Sequence, residues 1–388
     1  MEVFIVGAKR SPVGKLLGRL SSSPAPVLAS TVIREALRGA GLKPSLVDEV
    51  IMGNVLCAGV GQNPARQAAL LAGLPPTVAA FTVNKVCASG LKAVALGAQA
   101  IMLNDADVVV AGGMESMSNA PFLLKEMRAG KRYGDSEAVD SMIYDGLRDC
   151  YYNANMGTLC ELTAKKYDIS RKEQDAFAFL SHKKAMRATE KGLFKEEIVP
   201  IKTQDSLVDK DETIRWDTGP EKLKRLKPVF KAGGTITAGN SPGLNDGAAA
   251  LILMSEKMVK RLGIKPIAKI IGYSTGHLDP KWYPLAPLTS VKKLLKKTGL
   301  KLDSFDLIEE NEAFSAQTLA VIKELRIDPA KVNVNGGAIA LGHPIGSSGA
   351  RVLVTLIHAL RNRKKEVGLA TLCLGGGGAM SMAVRAFK

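Results

Sequence analysis

GLKPSLVDEVI, residues 41–51, reappears as GLKLDSFDLIE at residues 299–309, an offset of 258. Each copy follows a helical run in which Ile33, Ala36 and Leu37 match Val291, Leu294 and Leu295. Further along, Ser89-Gly90-Leu91-Lys92 echoes Ser348-Gly349-Ala350-Arg351 at an offset of 259, each opening an apolar helix. Near the start of each copy, Val6-Gly7 meets Ile271-Gly272 at an offset of 265, and a seven-residue length difference in between accounts for the change. Near-constant offsets of this kind mean a duplicated unit. The sequence therefore divides into two similar α/β halves, 1–115 plus 237–265 and 266–388, with residues 116–236 inserted into the first.

Both halves carry strand-like runs: 3–7, 47–55, 106–113, 248–255, 268–274, 305–311, 331–337 and 366–374. Helix patterns between them predict parallel sheets, and the near-continuous apolar character of the runs predicts cover on both faces. The inserted segment has a different texture, with most of the tyrosines and 22 Lys+Arg against 19 Asp+Glu over residues 122–231. A long excursion from a compact scaffold usually carries substrate or subunit contacts, so it reads as a lid or loop domain.

Composition excludes several classes. With 388 residues, 46% of them hydrophobic, the chain has enough apolar surface for a large core, which rules out disorder and small disulfide scaffolds. Five scattered cysteines without a CxxC pair argue against a disulfide framework or a zinc site and for a reduced, cytoplasmic compartment. The opening MEVFIVGAKR has no leader pattern. The uncharged run 367–384 reaches 18 residues, but its four successive glycines predict two buried strands around a turn, not a membrane span. The net charge of +16 invites nucleic acid, with clusters at Lys292, Lys293, Lys296, Lys297 and at Arg361, Arg363, Lys364, Lys365. Those clusters follow helical faces, aromatics are only 5% and no nucleic-acid motif accompanies them, so a polyanionic small molecule is the expected partner.

Four short stretches carry chemistry. In NKVCASGLKA (84–93) Cys87 falls between the strand-like AFTVN and a helix. At a helix N-terminus the unpaired N–H groups and the dipole favour a thiolate, so the thiol pKa is expected to fall. A buried structural cysteine is the alternative. NGGAIALGHPIGSSGAR (335–351) presents His343 at the matching turn of the second half, and a thiol facing an imidazole is an activated-nucleophile pairing. His182 and His358 lie on helix patterns and read as packing or surface residues. LCLGGGGAM (372–380) ends a buried strand with Cys373 against a glycine run whose N–H groups can approach an oxyanion. Cys373 reads as a proton carrier for an α-carbon or as a core cysteine. EENEAFSAQ (309–317) puts Asn311 at the C-terminal end of a strand, where it would hold an oxyanion-binding water.

Together with GQNPARQAAL (61–70) and TAGNSPGLNDGAAAL (237–251), these stretches resemble the thiolase family from end to end. The resemblance implies a five-layered α-β-α-β-α fold built from the two halves, with the insertion as a coenzyme A-binding and tetramerisation loop domain. It also implies acyl transfer between coenzyme A thioesters. By motif position Cys87 is the acylated nucleophile, His343 deprotonates it and, with a water on Asn311, binds the thioester oxygen of the second substrate. Cys373 moves the α-proton, and the backbone N–H groups of Cys87 and Gly375 form the other oxyanion hole. Arg215, Ala238, Phe314 and Met156 become coenzyme A contacts, although Arg215 in DETIRWD also reads as a surface ion pair. No metal or redox cofactor is implied; the partners are coenzyme A, acyl-CoA and further copies of the chain in a homodimer or homotetramer.

The CASG form and DSMIYDGLRD (140–149) resemble members that make acetoacetyl-CoA from two acetyl-CoA, an acetyl-CoA C-acetyltransferase activity. The alternative is a degradative 3-ketoacyl-CoA thiolase acting on longer chains. Two departures bear on this: Asn155 stands where biosynthetic members commonly have histidine, and Pro242 where they have a serine contacting the pantetheine arm.

Overall fold

A computed structural model describes residues 2–387. The first half runs β1 (Val3–Arg10), α1 (Ala25–Gly39), β2 (Glu49–Gly53), α2 (Pro64–Leu71), β3 (Ala79–Val83), α3 (Ser89–Met102) and β4 (Val108–Ser116). The chain then leaves the sheet, forms α4 (Met156–Lys166) and α5 (Arg171–Glu190), and returns as β5 (Asn245–Ser255). The second half repeats the plan with β6 (Ala268–His277), α6 (Ala286–Thr298), β7 (Leu307–Glu310), α7 (Ser315–Leu325), α8 (Ile345–Asn362), β8 (Val367–Leu374) and β9 (Gly378–Ala386).

The strand orders make the duplication explicit. The first sheet runs β3-β2-β4-β5-β1 and the second β7-β8-β9-β6, with a parallel bridge between Ile308 and Val332 where β3 stands in the first. The two sheets meet at the short antiparallel pairing of Phe4 and Ile5 with Lys269 and Ala268.

Two expectations are corrected. The sheets are mixed, not parallel: β2–β3, β2–β4 and β7–β8 are parallel, while β4–β5, β5–β1, β8–β9 and β9–β6 are antiparallel. β8 and β9 are joined by a tight turn in which Gly376 and Gly377 take φ of 77° and 79°, so no crossover helix is needed. The run 331–337 is not a strand beyond its single bridge. Asn333 adopts φ 45°, and its side-chain amide accepts from Glu310 N at 2.8 Å and donates to Glu310 O at 2.9 Å, taking the place of the next ladder rung.

Hydrophobic clusters define five layers. α1 and α2 cover one face of the first sheet through Leu28, Val32, Ile33 and Ala68. α3 and α8 fill the space between the sheets, packing Leu91, Val94, Leu353 and Ile357 against Val109, Leu251, Leu372 and Met382. α6 and α7 cover the far face of the second sheet with Val291, Leu294 and Ile322. α8 is buried from Ile345 to Leu360, as a helix between two sheets must be. α3 and α8 cross at glycines: a Cβ at Gly90 would stand 2.8 Å from Ala350 N, and one at Gly349 2.6 Å from Leu91 N. The excursion is fastened to β1 by the buried guanidinium of Arg10, which binds Glu197 Oε1 at 2.7 Å and Asp211 through two hydrogen bonds of 2.7 and 2.9 Å. Among the described residues no helix is long and apolar enough to cross a membrane.

Candidate active site

Cys87 follows a strained turn. Val86, a β-branched residue, takes φ 48°, a conformation that survives only where its surroundings enforce it. Here Asn84 Oδ1 accepts from Val86 N at 2.9 Å, while Ser89 Oγ accepts from Lys85 N at 2.8 Å and donates to Val86 O at 2.6 Å. α3 begins at Ser89, so Cys87 does stand at a helix N-terminus. Its pKa nevertheless moves the other way from the sequence expectation. Burial pushes the thiol up to about 12, against a smaller opposite pull from the N–H groups of Gly375 and of Cys87 itself. Cys87 and Gly375 line the same cavity, so their backbone N–H groups are the candidate donors for an oxyanion.

His343 is held from both sides. Its N–H donates to Asn245 Oδ1 at 2.8 Å, and its Nδ1 lies 2.6 Å from Ser348 Oγ. Ser348 Oγ also lies 2.9 Å from Pro344 O, so if its hydroxyl donates there it accepts from Nδ1–H. In that tautomer the proton is on Nδ1 and Nε2 is the basic nitrogen. Burial, with the positive Arg351 behind it, lowers the imidazole pKa to about 3, so the ring is neutral at rest.

Cys373, at the end of β8, is buried, and its thiol pKa is raised well above the ordinary value, first by burial and then by the neighbouring Cys87, Glu310 and Cys160. Asn311, immediately after β7, is fully buried, and both its amide oxygen and its amide nitrogen lack a protein partner. A buried amide left wholly unpaired requires water or a ligand.

A cavity of about 480 Å³ gathers most of these groups. Cys87, His343, Cys373 and Gly375 line it, as do all four candidate coenzyme contacts, Met156, Arg215, Ala238 and Phe314. Asn155 and Pro242 are also on its wall, whereas Asn311 is not among the lining residues. Arg215 makes no ion pair among the described residues; its Nη2 donates to Ala238 O at 2.9 Å. Among the described residues no group of three or more His, Cys, Asp or Glu is placed to hold a metal ion.

Several wall residues were not singled out from sequence. Ile143, Gly146 and Leu147 come from the excursion, and Phe230 stacks edge-on against Phe314 at 5.8 Å. Tyr283 is buried in one cluster with Cys373 and donates its hydroxyl to Met156 O at 2.9 Å. Glu115 was also missed, although a lone carboxylate closing the apolar run of β4 was a readable signal. His182 and His358 are buried helix residues, as expected of packing groups.

The chain matches two family models, "Thiolase, N-terminal domain" over residues 3–257 and "Thiolase, C-terminal domain" over residues 264–386. It is 50% identical over 392 residues to a protein of Staphylococcus aureus named "Probable acetyl-CoA acyltransferase", covering 100% of both chains. It is 51% identical over 389 residues to the "Acetyl-CoA acetyltransferase" of Chromobacterium violaceum, covering 99% of each. A crystal structure of Acat5 thiolase from Ascaris suum in complex with coenzyme A superposes with a TM-score of 0.96 at 42% identity over 100% of both chains.

Proposed function

The chain belongs to the thiolase family, and from that premise we propose that it is an acetyl-CoA C-acetyltransferase, interconverting two acetyl-CoA with acetoacetyl-CoA and free coenzyme A. The observation that carries this reading is the convergence of two thiols, Cys87 and Cys373, the imidazole of His343 and Gly375 on a single cavity.

In the cleavage direction Cys87 Sγ attacks the 3-keto carbon of acetoacetyl-CoA as its proton passes to His343 Nε2. The oxyanion that forms is held by the N–H groups of Cys87 and Gly375. The C2–C3 bond then breaks, and its electrons pass to an enolate of acetyl-CoA whose oxygen is bound by His343 and a water on Asn311. Cys373 donates its proton to C2 and is left as a thiolate. Free coenzyme A next gives its thiol proton to Cys373 and attacks the acetyl group on Cys87. The departing Cys87 sulfur recovers its proton from His343, which closes the cycle. Condensation is the same sequence reversed. A thiol with a raised pKa suits Cys373 here, because its first task is that of an acid.

Met156, Arg215, Ala238 and Phe314 serve the coenzyme, and the excursion is its binding domain within the division 1–115 plus 237–265, 116–236 and 266–388. Tyr283, braced on Met156 beside Cys373, supports a short acyl group. The +16 charge suits a phosphorylated substrate. Exposed apolar side chains on the excursion, including Phe122, Leu124 and Tyr151, support a homodimer or homotetramer, and five free cysteines support a cytoplasmic setting.

The test is coenzyme A-dependent cleavage of acetoacetyl-CoA beside a long-chain 3-ketoacyl-CoA, with Cys87→Ser as the blank. Turnover of the short substrate alone is expected. Turnover of both would replace the reading with a degradative thiolase, and turnover of neither would overturn it.

A further inference from the structure

Glu115 closes β4 on the face that looks into the central helix layer, and it is fully buried. Its carboxylate takes four donors. Gly346 N reaches Oε2 at 2.8 Å and Val55 N reaches it at 3.1 Å, while Leu56 N at 3.1 Å and Asn54 Nδ2 at 2.5 Å reach Oε1. Three of the donors belong to the loop that follows β2. The fourth belongs to the first turn of α8, three residues beyond His343. Pro344, the residue before α8, supplies no side-chain cap, so a carboxylate from the other half of the molecule takes that place.

The packing around this carboxylate is tight. A Cβ on Gly346 would stand 2.8 Å from Glu115 Oε2 and 2.7 Å from Met114 O, and one on Gly113 would stand 2.2 Å from Gly346 O. The first turn of α8 therefore lies directly on the backbone of β4. The β2 loop is held with it, because a Cβ on Gly53 would stand 2.5 Å from Ser89 C in the first turn of α3. Glu115 thus ties together the strand end, the loop under the Cys87 helix and the turn behind His343.

Its charge does not serve the nucleophile. A carboxylate here opposes ionisation of Cys87, and its own pKa is raised to about 7 by burial, which its four donors only partly offset. A group that works against the thiolate and carries a desolvation cost needs another reason to be present, and the reason is geometric. We propose that Glu115 is a positioning residue that fixes His343 against Cys87 by clamping the first turn of α8 to the loop after β2. The proposal rests on the acyl-transfer reading of the site, but the clamp can be measured without substrate.

Glu115→Gln keeps the shape and places an amide NH2 where two N–H donors now converge, so at least two of the four hydrogen bonds are lost. Amide hydrogen exchange by mass spectrometry should quicken at least tenfold in peptides covering 54–57 and 344–348 and stay unchanged elsewhere. In acetoacetyl-CoA cleavage kcat should fall at least tenfold with KM within twofold. Should Glu115→Gln fail to fold, Asn54→Ala removes a single donor, and the same pattern is expected at about threefold. Unchanged exchange in both segments, a uniform rise across the whole chain, or an unchanged kcat beside quickened local exchange would each overturn the clamp. If the unmodified enzyme cleaves no acetoacetyl-CoA, the proposed function fails and the exchange data alone decide the clamp.

Discussion

Gly349→Ala should separate stability from catalysis in a way that a packing defect elsewhere would not. Position 349 lies inside α8, where alanine is favoured over glycine by about 1 kcal/mol. The new Cβ, however, would lie 2.6 Å from Leu91 N and 2.8 Å from Leu91 Cβ on α3, where ordinary contact begins at 3.4 Å. The nearest obstacle is backbone, so relief requires the helices to part by 3.4 − 2.6 = 0.8 Å. Overpacking of this kind costs about 1–3 kcal/mol, so the net loss of stability should be at most about 2 kcal/mol. Cys87 lies just before α3 and His343 just before α8, and a misplacement near 1 Å costs about 100-fold in rate. We therefore expect kcat for acetoacetyl-CoA cleavage to fall between about 10- and 100-fold. The loss of acetoacetyl-CoA enolate absorbance would follow the reaction, with urea denaturation run in parallel. Gly39→Ala is the control, because its Cβ would meet only Lys9 Cε at 3.5 Å at the end of α1. It should gain about 0.5–1 kcal/mol with kcat unchanged. A Gly349→Ala enzyme whose kcat stays within twofold would refute the claim that the helix crossing sets the Cys87–His343 distance.

Cys373→Ala should abolish turnover while leaving the melting curve nearly unchanged; loss of stability with turnover intact in the folded protein would return Cys373 to a packing role. Because the Cys87 thiol is pushed up to about 12, its alkylation by iodoacetamide should keep rising through pH 9 and 10, and a plateau below pH 8, read from the Cys87 peptide, would contradict that pKa. His182 is buried with its pKa lowered from 6.5 to about 4, so the neutral ring contributes stability that is fully present above pH 6.5 and is lost as pH falls toward 4. His182→Gln takes up no proton and should lose about 2 kcal/mol less than the unmodified chain between pH 7 and pH 4.5; parallel urea midpoints at the two pH values would refute this.

The duplication was legible because a repeated unit leaves repeated small residues where its helices must cross. Gly90 and Gly349 are in register in the sequence, and they touch the opposite helix in space. That Cys87, His343 and Cys373 would come together on one cavity was legible for a related reason: each stands at a strand end or just before a helix near glycines, and such punctuation is local. Strand direction was not legible, since it depends on which strand becomes the neighbour, as β5 does for β4 after the whole excursion. The run ending at Asn333 failed as a strand because one side-chain amide competed successfully with the ladder. Glu115, Asn245 and Tyr283 escaped for the same long-range reason: the groups that give them a role, Gly346, His343 and Met156, lie about a hundred residues or more away in the chain.

The most instructive failure concerns Cys87. A helix N-terminus predicts a thiolate, and the N–H groups that would stabilise one are present, but burial and the Glu115 carboxylate outweigh them. With His343 lowered to about 3, the resting pair is a thiol and a neutral imidazole, and the proton stays on sulfur. Ionising the pair without substrate would place two charges in a cavity walled by Met156, Phe230, Phe314 and Tyr283, at a desolvation cost that the backbone N–H groups only partly offset. In the proposed mechanism, when a thioester or 3-keto carbonyl lies against Cys87, the same proton transfer would deliver the negative charge to an oxygen facing the N–H groups of Cys87 and Gly375. Charge then appears only where donors await it, so those donors stabilise the transition state more than the resting enzyme. A nucleophile held in reserve in this way is also a poor target for adventitious alkylation, which ties the reactivity of Cys87 to the presence of a carbonyl in the cavity and not to its position at the end of a helix.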